Sequence, residues 1–196
     1  MHRRRPARAA AALAALALAT GVAACSDSTP ASTTLPGTTT AAPTTDALPP
    51  LGPADFPLPD AARQQTPEGA TAFTEYYIGL ISFTTTTLDA TAIRQLSRNC
   101  EVCDQVADGY DRDRVAGYRY EGGLISISSM PAPKFQETTA EFAFLLVQTA
   151  VKVIDPQGAA LPDRGSPEIT LNGGVLLEWD STVQSWLVTA LTADRM

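Results

Sequence analysis

Histidine is almost absent from this 196-residue chain, which has only one, at position 2. Because His2 stands at the start of a segment typical of cleaved export signals, we expect the mature chain to have none. A protein without histidine has no Ser-His-Asp or Cys-His mechanism and no histidine-ligated metal site. The sequence therefore disfavours the commonest hydrolase chemistries, and it indicates no cofactor.

Basic clusters are absent beyond the first eight residues. The chain has 14 Lys and Arg against 21 Asp and Glu, and four of the arginines lie at positions 3, 4, 5 and 8. The remainder is strongly acidic, and acidic chains bind poorly to nucleic acids and to anionic lipid surfaces. We therefore expect no nucleic-acid partner.

Long apolar runs are also missing. The longest, residues 9–19, consists almost entirely of Ala and Leu and is too short for a bilayer span, which needs roughly 20 residues. It follows the arginines and ends in Val22-Ala23-Ala24-Cys25, an order that resembles the lipobox signal of bacterial lipoproteins. In that family the cysteine thiol receives a diacylglyceryl group and the signal is cut before it. The resemblance implies a signal peptide at 1–24 and lipidation of Cys25, and ordinary secretion is the alternative.

Lipidation at Cys25 would also set the location of the protein. A single acyl chain binds a membrane only marginally, whereas two chains anchor a protein stably. We therefore expect a protein held through its N-terminal lipid on the outer face of the bacterial cytoplasmic membrane. The rest of the chain would be exposed to the cell-wall space.

Residues 25–60 are rich in Thr, Pro, Ala and Ser and contain neither Lys nor Arg. Such a segment buries too little apolar surface to offset the entropy cost of ordering it. We predict a disordered tether here, with O-glycosylation of its threonines as a further hypothesis.

Residues 61–196 are predicted to form one globular domain, with helices first and strands afterwards. Thr66-Pro67-Glu68 is typical of a helix start, and further helices are expected near Ile93 and from Glu101 to about Ala116. Strands are expected at 118–121, 124–128, 138–154, 169–179 with an interruption at 172–174, and 186–191, with a loop around Gly158 and Pro162. This order predicts an α+β fold in which N-terminal helices pack on a curved antiparallel sheet.

Two resemblances extend this prediction. The helical start, the long strands and the final hairpin, Glu178-Trp179 followed by residues 185–188, resemble the cone-shaped, cystatin-like architecture of nuclear transport factor 2 and SnoaL-type proteins. A closer resemblance, to an uncharacterised family of actinobacterial lipoproteins with a domain of unknown function, rests on three motifs. These are Glu68-Gly69-Ala70 with Phe73 and Tyr76-Tyr77, Cys100-Glu101-Val102-Cys103, and Tyr120-Glu121-Gly122-Gly123. That family carries no known activity, so the resemblance implies none.

Cys100 and Cys103 allow three interpretations. A structural disulfide is favoured, because paired cysteines outside the cytoplasm are usually oxidised. A thiol-redox centre would need nearby positive charge, but Glu101 and Asp104 are acidic. Half of a metal site would need further Cys or His ligands, and no others are available.

Two further groups are candidate sites. Asp108, Asp111 and Asp113 do not match a calcium-binding loop and are interpreted as a solvated helix face. Six aromatic residues either line an apolar pocket or simply fill the core: Tyr76, Tyr77, Phe142, Phe144, Trp179 and Trp186.

The functional hypothesis that follows is a non-catalytic binding or interaction domain, tethered at the surface. Its partner would be an envelope protein or a small apolar ligand. The alternative is a cone-fold isomerase or hydrolase. The steroid isomerase of this architecture uses an Asp and a Tyr in an apolar site, so a buried carboxylate within reach of a tyrosine would support that alternative.

Overall fold

The computed structural model describes residues 48–196. The predicted signal peptide, the predicted lipidation site Cys25 and residues 25–47 of the predicted tether therefore lie outside the described residues. Within 48–196 the chain forms a layer of helices followed by antiparallel strands, so the predicted α+β fold with helices packed on a curved antiparallel sheet is confirmed.

The helical layer consists of a short 3-10 helix, Asp60–Arg63, and helices α1 (Pro67–Thr87), α2 (Thr91–Gln95) and α3 (Glu101–Val115). Helix α1 begins as the sequence predicts, because the Thr66 hydroxyl accepts a hydrogen bond from the Gly69 N–H at 3.0 Å. It ends at Thr87: the Leu88 N–H still donates to the Thr84 carbonyl oxygen, and the left-handed backbone of Leu88 (φ 53°) then turns the chain out of the helix. The third helix then leads into the strands through a turn at Gly117.

Eight strands follow: β1 (Arg119–Gly122), β2 (Ile125–Ser129), β3 (Lys134–Gln136), β4 (Thr139–Gln148), β5 (Val151–Ile154), β6 (Ala160–Ser166), β7 (Ile169–Asp180) and β8 (Ser185–Arg195). Strands β2-β4-β7-β8 form one sheet, with β3 also paired to β4, and β1-β5-β6 form a second. Every strand pair is antiparallel.

The two sheets are continuous in sequence across a sharp bend. Strands β1 and β2 are separated by Gly123 and Leu124, and β4 and β5 by Thr149 and Ala150. The backbone at the bend needs glycine, since Gly122 has φ 76° and a Cβ there would lie 2.1 Å from the Ala150 oxygen. Hydrogen bonds continue across it, because the Gly123 N–H donates to that same oxygen at 3.0 Å. The bend gives the sheet the predicted curvature.

Three predictions for the strands are wrong in detail. The single strand expected at 138–154 is broken at the bend. The expected loop around Gly158 and Pro162 contains β6, which is an edge strand of its sheet. Proline is tolerated in an edge strand because one side of that strand makes no hydrogen bonds to a neighbouring strand. Residues 172–174 do not interrupt β7. A Cβ on Gly173 would lie 2.2 Å from the Thr192 oxygen, so glycine there permits the close approach of β8 rather than breaking the strand.

The hydrophobic core lies between α1 and the inner face of the larger sheet. Along β4, side chains alternate between buried Ala140, Phe142, Phe144 and Leu146 and the opposite face of the sheet. Helix α1 contributes Phe73, Tyr77 and Leu80 to the same cluster. This alternation is that of a sheet covered on one face.

Residues 48–59, here called the strap, are packed on this core. Leu51 and Leu58 are 5% and 7% exposed. The Phe56 ring stacks between Tyr76 and Phe83, with centroid distances of 5.1 Å to each. The prediction of a disordered tether up to residue 60 is therefore wrong for residues 48–60. Three apolar side chains scattered among prolines give no periodic signal, yet Leu51 and Leu58 join the core cluster and Phe56 packs against it.

Candidate functional site

The six aromatic residues predicted to line a pocket or fill the core occur together. Five of them are buried in one continuous cluster: Tyr76, Tyr77, Phe142, Phe144 and Trp186. Trp179 is half-buried and packs against this cluster. The rings pack against each other, since Trp186 meets Trp179 edge-on at 5.4 Å and Phe135 at 5.9 Å. Their arrangement is that of a packed interior.

The polar atoms of these rings are mostly satisfied. Trp186 Nε1 donates to the Gln64 carbonyl oxygen at 2.9 Å, and the Tyr76 hydroxyl donates to the Phe56 carbonyl oxygen at 2.8 Å. The Tyr77 hydroxyl is buried without a partner at hydrogen-bond distance among the described residues. The neighbouring Ser97 hydroxyl donates instead to a helical carbonyl oxygen. Burial raises the pKa of Tyr77, so it stays neutral.

Asp113 is a buried carboxylate beside a tyrosine. Its side chain is 6% exposed, and the Tyr120 hydroxyl donates to its Oδ2. Arg164 Nη2 lies 2.9 Å from Oδ1 and 3.0 Å from Oδ2. The guanidinium also lies 5.1 Å from the centroid of the Tyr118 ring, at the distance of a cation–π contact. The prediction of a solvated face is thus wrong for Asp113, because its partner comes from β6, far along the chain.

The Asp113 cluster is chemically closed. Both carboxylate oxygens already accept hydrogen bonds, and a general base must be free to reach a substrate proton. Burial, followed by the contact with Asp113, raises the pKa of Tyr120, so this tyrosine is a neutral donor. The cluster joins α3 to β1 and β6.

The other two acids of the predicted helix face have a different partner. Arg94 on α2 bonds Asp108 at 2.7 Å and Asp111 at 2.8 Å. These pairs are partly exposed and tie α2 to α3. Exposed pairs of this kind contribute little to stability.

Cys100 and Cys103 have their sulfur atoms 2.04 Å apart, as in a disulfide. Both residues are buried, at 2% and 1% exposure. Cys100 is also the N-cap of α3, and its sulfur accepts a hydrogen bond from the Cys103 N–H at 3.2 Å. Their place, at the turn from α2 into α3, is the junction where the sequence favours a structural disulfide.

A cleft of about 230 Å³ lies between the strap and helices α1 and α2. The strap contributes Gly52, Pro53 and Asp55, and the helices and their connection contribute Phe83, Thr87, Asp89, Thr91, Ala92 and Gln95. Sequence reasoning missed this cleft because it assigned one wall to the tether. The strap wall is held in place by Gln95, whose Oε1 accepts from the Gly52 N–H at 3.0 Å.

The cleft is acidic on two sides. Asp89 Oδ1 accepts from the Thr91 N–H at 3.0 Å and from the Thr91 hydroxyl at 2.6 Å. These hydrogen bonds lower the pKa of Asp89, so its carboxylate is ionised. Asp55 faces the same cleft from the strap. No Lys or Arg of the described chain lines it.

The outer face of the larger sheet is left uncovered by the helices. Ala143, Leu176 and Ala190 are exposed there, and Leu176 lies between Glu141 on β4 and Ala190 on β8 in the strand register. Between residues 48 and 196, no helix is both long and apolar enough to cross a membrane. The same residues contain no group of three acidic, histidine or cysteine side chains that could hold a metal ion.

Several solved structures are similar to this chain at low identity. The intermembrane-space region of the chloroplast protein ARC6 has a TM-score of 0.49 and 12% identity, covering 68% of this chain and 99% of that one. A nuclear transport factor 2 (NTF2-like) superfamily protein from Salmonella enterica has 0.45 and 10%, covering 66% and 93%. Aln2 from a Streptomyces species has 0.43 and 14%, covering 66% and 92%. At these scores we draw no functional conclusion from them.

Comparison of the sequence with protein families identifies the family of this chain. No curated protein matches the chain. Residues 54–191 match the model of a family of unknown function, DUF6318. The match begins inside the strap, as the packing of Phe56 and Leu58 on the core requires. The chain belongs to the DUF6318 family of unknown function.

Proposed function

We propose that this protein is an extracytoplasmic, lipid-anchored binding domain that carries out no chemistry of its own. The observation that carries the proposal is the filled interior. Buried aromatic rings occupy the space between α1 and the sheet, where a cone-fold enzyme would hold its substrate. Binding is therefore assigned to the surface of the domain.

The second candidate is a cone-fold enzyme that uses a carboxylate and a tyrosine. One observation favours it, namely the contact of Tyr120 with the buried Asp113. Arg164 opposes it, because its guanidinium neutralises that carboxylate and bonds both oxygens. A buried pair with all its hydrogen bonds made is typical of a structural link rather than of an acid–base centre.

The state of the interior distinguishes the two candidates. Benzene enters dry cavities left by large-to-small core substitutions, so it serves as the probe. We expect no saturable binding of benzene to the full chain, and saturable binding to Phe144→Ala, which removes a ring that is 2% exposed. Leu146→Ala is the second variant if Phe144→Ala does not fold. Methyl chemical shifts of the core give the readout, and saturable binding to the unsubstituted chain would overturn the proposal.

The anchor is tested separately. Wild-type protein should fractionate with membranes and carry the added mass of a diacylglyceryl group, whereas Cys25→Ser should lose both. Ser26→Ala, the neighbouring substitution that spares the thiol, is the control. Recovery of Cys25→Ser with the membranes would contradict the anchor.

A further inference from the structure

The cleft between the strap and helices α1 and α2 combines carboxylates, an aromatic ring and apolar walls in a small volume. We propose that it binds an organic monocation, a primary ammonium or a guanidinium group carried on a short apolar stem. This inference rests on the proposed binding function and gives it a ligand class.

The charge of the cleft selects a cation. Asp55 and Asp89 line it, and within residues 48–196 no basic side chain does. Asp89 uses Oδ1 for its bonds to Thr91, whereas Oδ2 accepts no hydrogen bond from the described residues. The positive charge of Arg114 also lowers the pKa of Asp89. The Arg114 guanidinium itself contacts Asp111 at 3.5 Å. An ionised oxygen is thus left to receive an N–H donor, and such charge-assisted bonds are the strong ones.

The apolar part of the lining fits an alkyl stem. Phe83 is fixed by stacking on Phe56 at 5.1 Å, and Pro53 and Ala92 complete the apolar surface. The carboxylates and the ring therefore recognise two parts of one ligand, its charged head and its stem.

The size of the cleft limits what enters. Its 230 Å³ is below the range of about 300–1,000 Å³ that is typical for drug-sized ligands. A single side-chain-sized amine fits this volume, and a nucleotide or a large cofactor exceeds it. A calcium ion needs about six to eight oxygen ligands, and the described residues offer no cluster of three acids for any metal.

The walls of the cleft are held by contacts within the chain. Besides accepting from Gly52, Gln95 donates through Nε2 to the Pro50 carbonyl oxygen at 3.3 Å. Gly52 has φ 83°, and a Cβ there would lie 2.0 Å from the Tyr76 hydroxyl, so the strap can lie this close only with glycine. A wall held in advance lowers the ordering cost of binding.

The test titrates the full chain in neutral detergent with n-butylammonium chloride, and with 1-butanol as the neutral analogue. We expect shifts of the Phe83, Thr91 and Gln95 signals with butylammonium only. The double variant Asp55→Asn/Asp89→Asn should bind about tenfold more weakly, because both carboxylates are exposed and each exposed ion pair contributes little. Asp89→Asn keeps an oxygen that can accept from Thr91, so the local turn is retained.

Asp163→Asn is the matched control, since it removes an exposed negative charge from β6 and should leave the affinity unchanged. A short peptide whose only charged side chain is one lysine is titrated in the same way. If it binds more tightly than n-butylammonium, the cation is a protein side chain, and if the two bind equally, the cation is a free amine. Equal binding of 1-butanol, or a double variant no weaker than Asp163→Asn, would overturn the proposal. Such a failure leaves the proposed function intact as long as benzene stays out of the interior.

Discussion

Asp113 shows how one residue can be misread from its neighbours in the sequence. Arg112 and Arg114 flank it and suggest a solvated helix face, but the side chain turns inward to Tyr120 and Arg164. The helical period does place residue 113 on the same side as Tyr110 and Val106, which face the core. What the sequence does not show is that β6 brings an arginine to this position.

A substitution at Asp113 should be costly. Asp113→Ala leaves Arg164 and the Tyr120 hydroxyl without their shared acceptor, and we expect a loss of about 2 kcal/mol or more in the free energy of unfolding. Asp108→Ala removes an acid that is 68% exposed and should cost about 0.5 kcal/mol or less. Urea unfolding of both variants gives the comparison. Equal losses would show that the buried cluster contributes no more than a surface pair.

Asp180 predicts a pH dependence. The Arg98 guanidinium, with the Thr182 backbone N–H, lowers the pKa of this carboxyl from 3.8 to about 2. Folding therefore favours the ionised carboxylate, so its contribution to stability is complete above about pH 5 and is lost as the pH falls through 2. We expect wild-type protein to have a higher Tm than Asp180→Asn above about pH 5, with most of the difference lost at about pH 2. A difference that persists unchanged at pH 2 would contradict the pair.

At the scale of the element, the strap decides where the domain begins. Leu58→Ala should lower the free energy of unfolding by about 2 kcal/mol or more, since it empties a buried position. Leu48→Ala, at a position 41% exposed, should cost much less. Chemical unfolding of the full chain measures both. Equal, small effects would mean that the strap is not part of the cooperative fold.

The helices and strands differ in how well the sequence predicts them. Helix α1 is marked by a capping threonine and a proline at its start, both of which are local signals. Strands β3 and β6 have no comparable signal, because short edge strands need no apolar alternation. The cleft could not be predicted from the sequence for a related reason. The strap meets α2 through contacts between residues far apart in the chain, such as that of Gly52 with Gln95.

At the scale of the whole molecule, the sheet has one covered and one open face. Leu176 is 36% exposed and its neighbour Leu177 is fully buried. Leu177→Ala should therefore cost about 2 to 5 kcal/mol, while Leu176→Ala should stay within about 0.5 kcal/mol. Urea unfolding of the two variants checks the layering directly. A larger loss at Leu176 would mean that the register of β7 is shifted by one residue.

The strap also has a mechanical consequence. Everything that precedes residue 48 joins the domain through this segment, so any tension along the chain reaches the strap before the core. The strap is held to the rest of the domain by its buried leucines and by hydrogen bonds such as Arg63 Nη2 to the Pro49 oxygen at 2.6 Å and the Gly52 N–H to Gln95 Oε1 at 3.0 Å. It is also one wall of the cleft. A pull on the N-terminal side would therefore load this wall of the cleft before it loads the sheet.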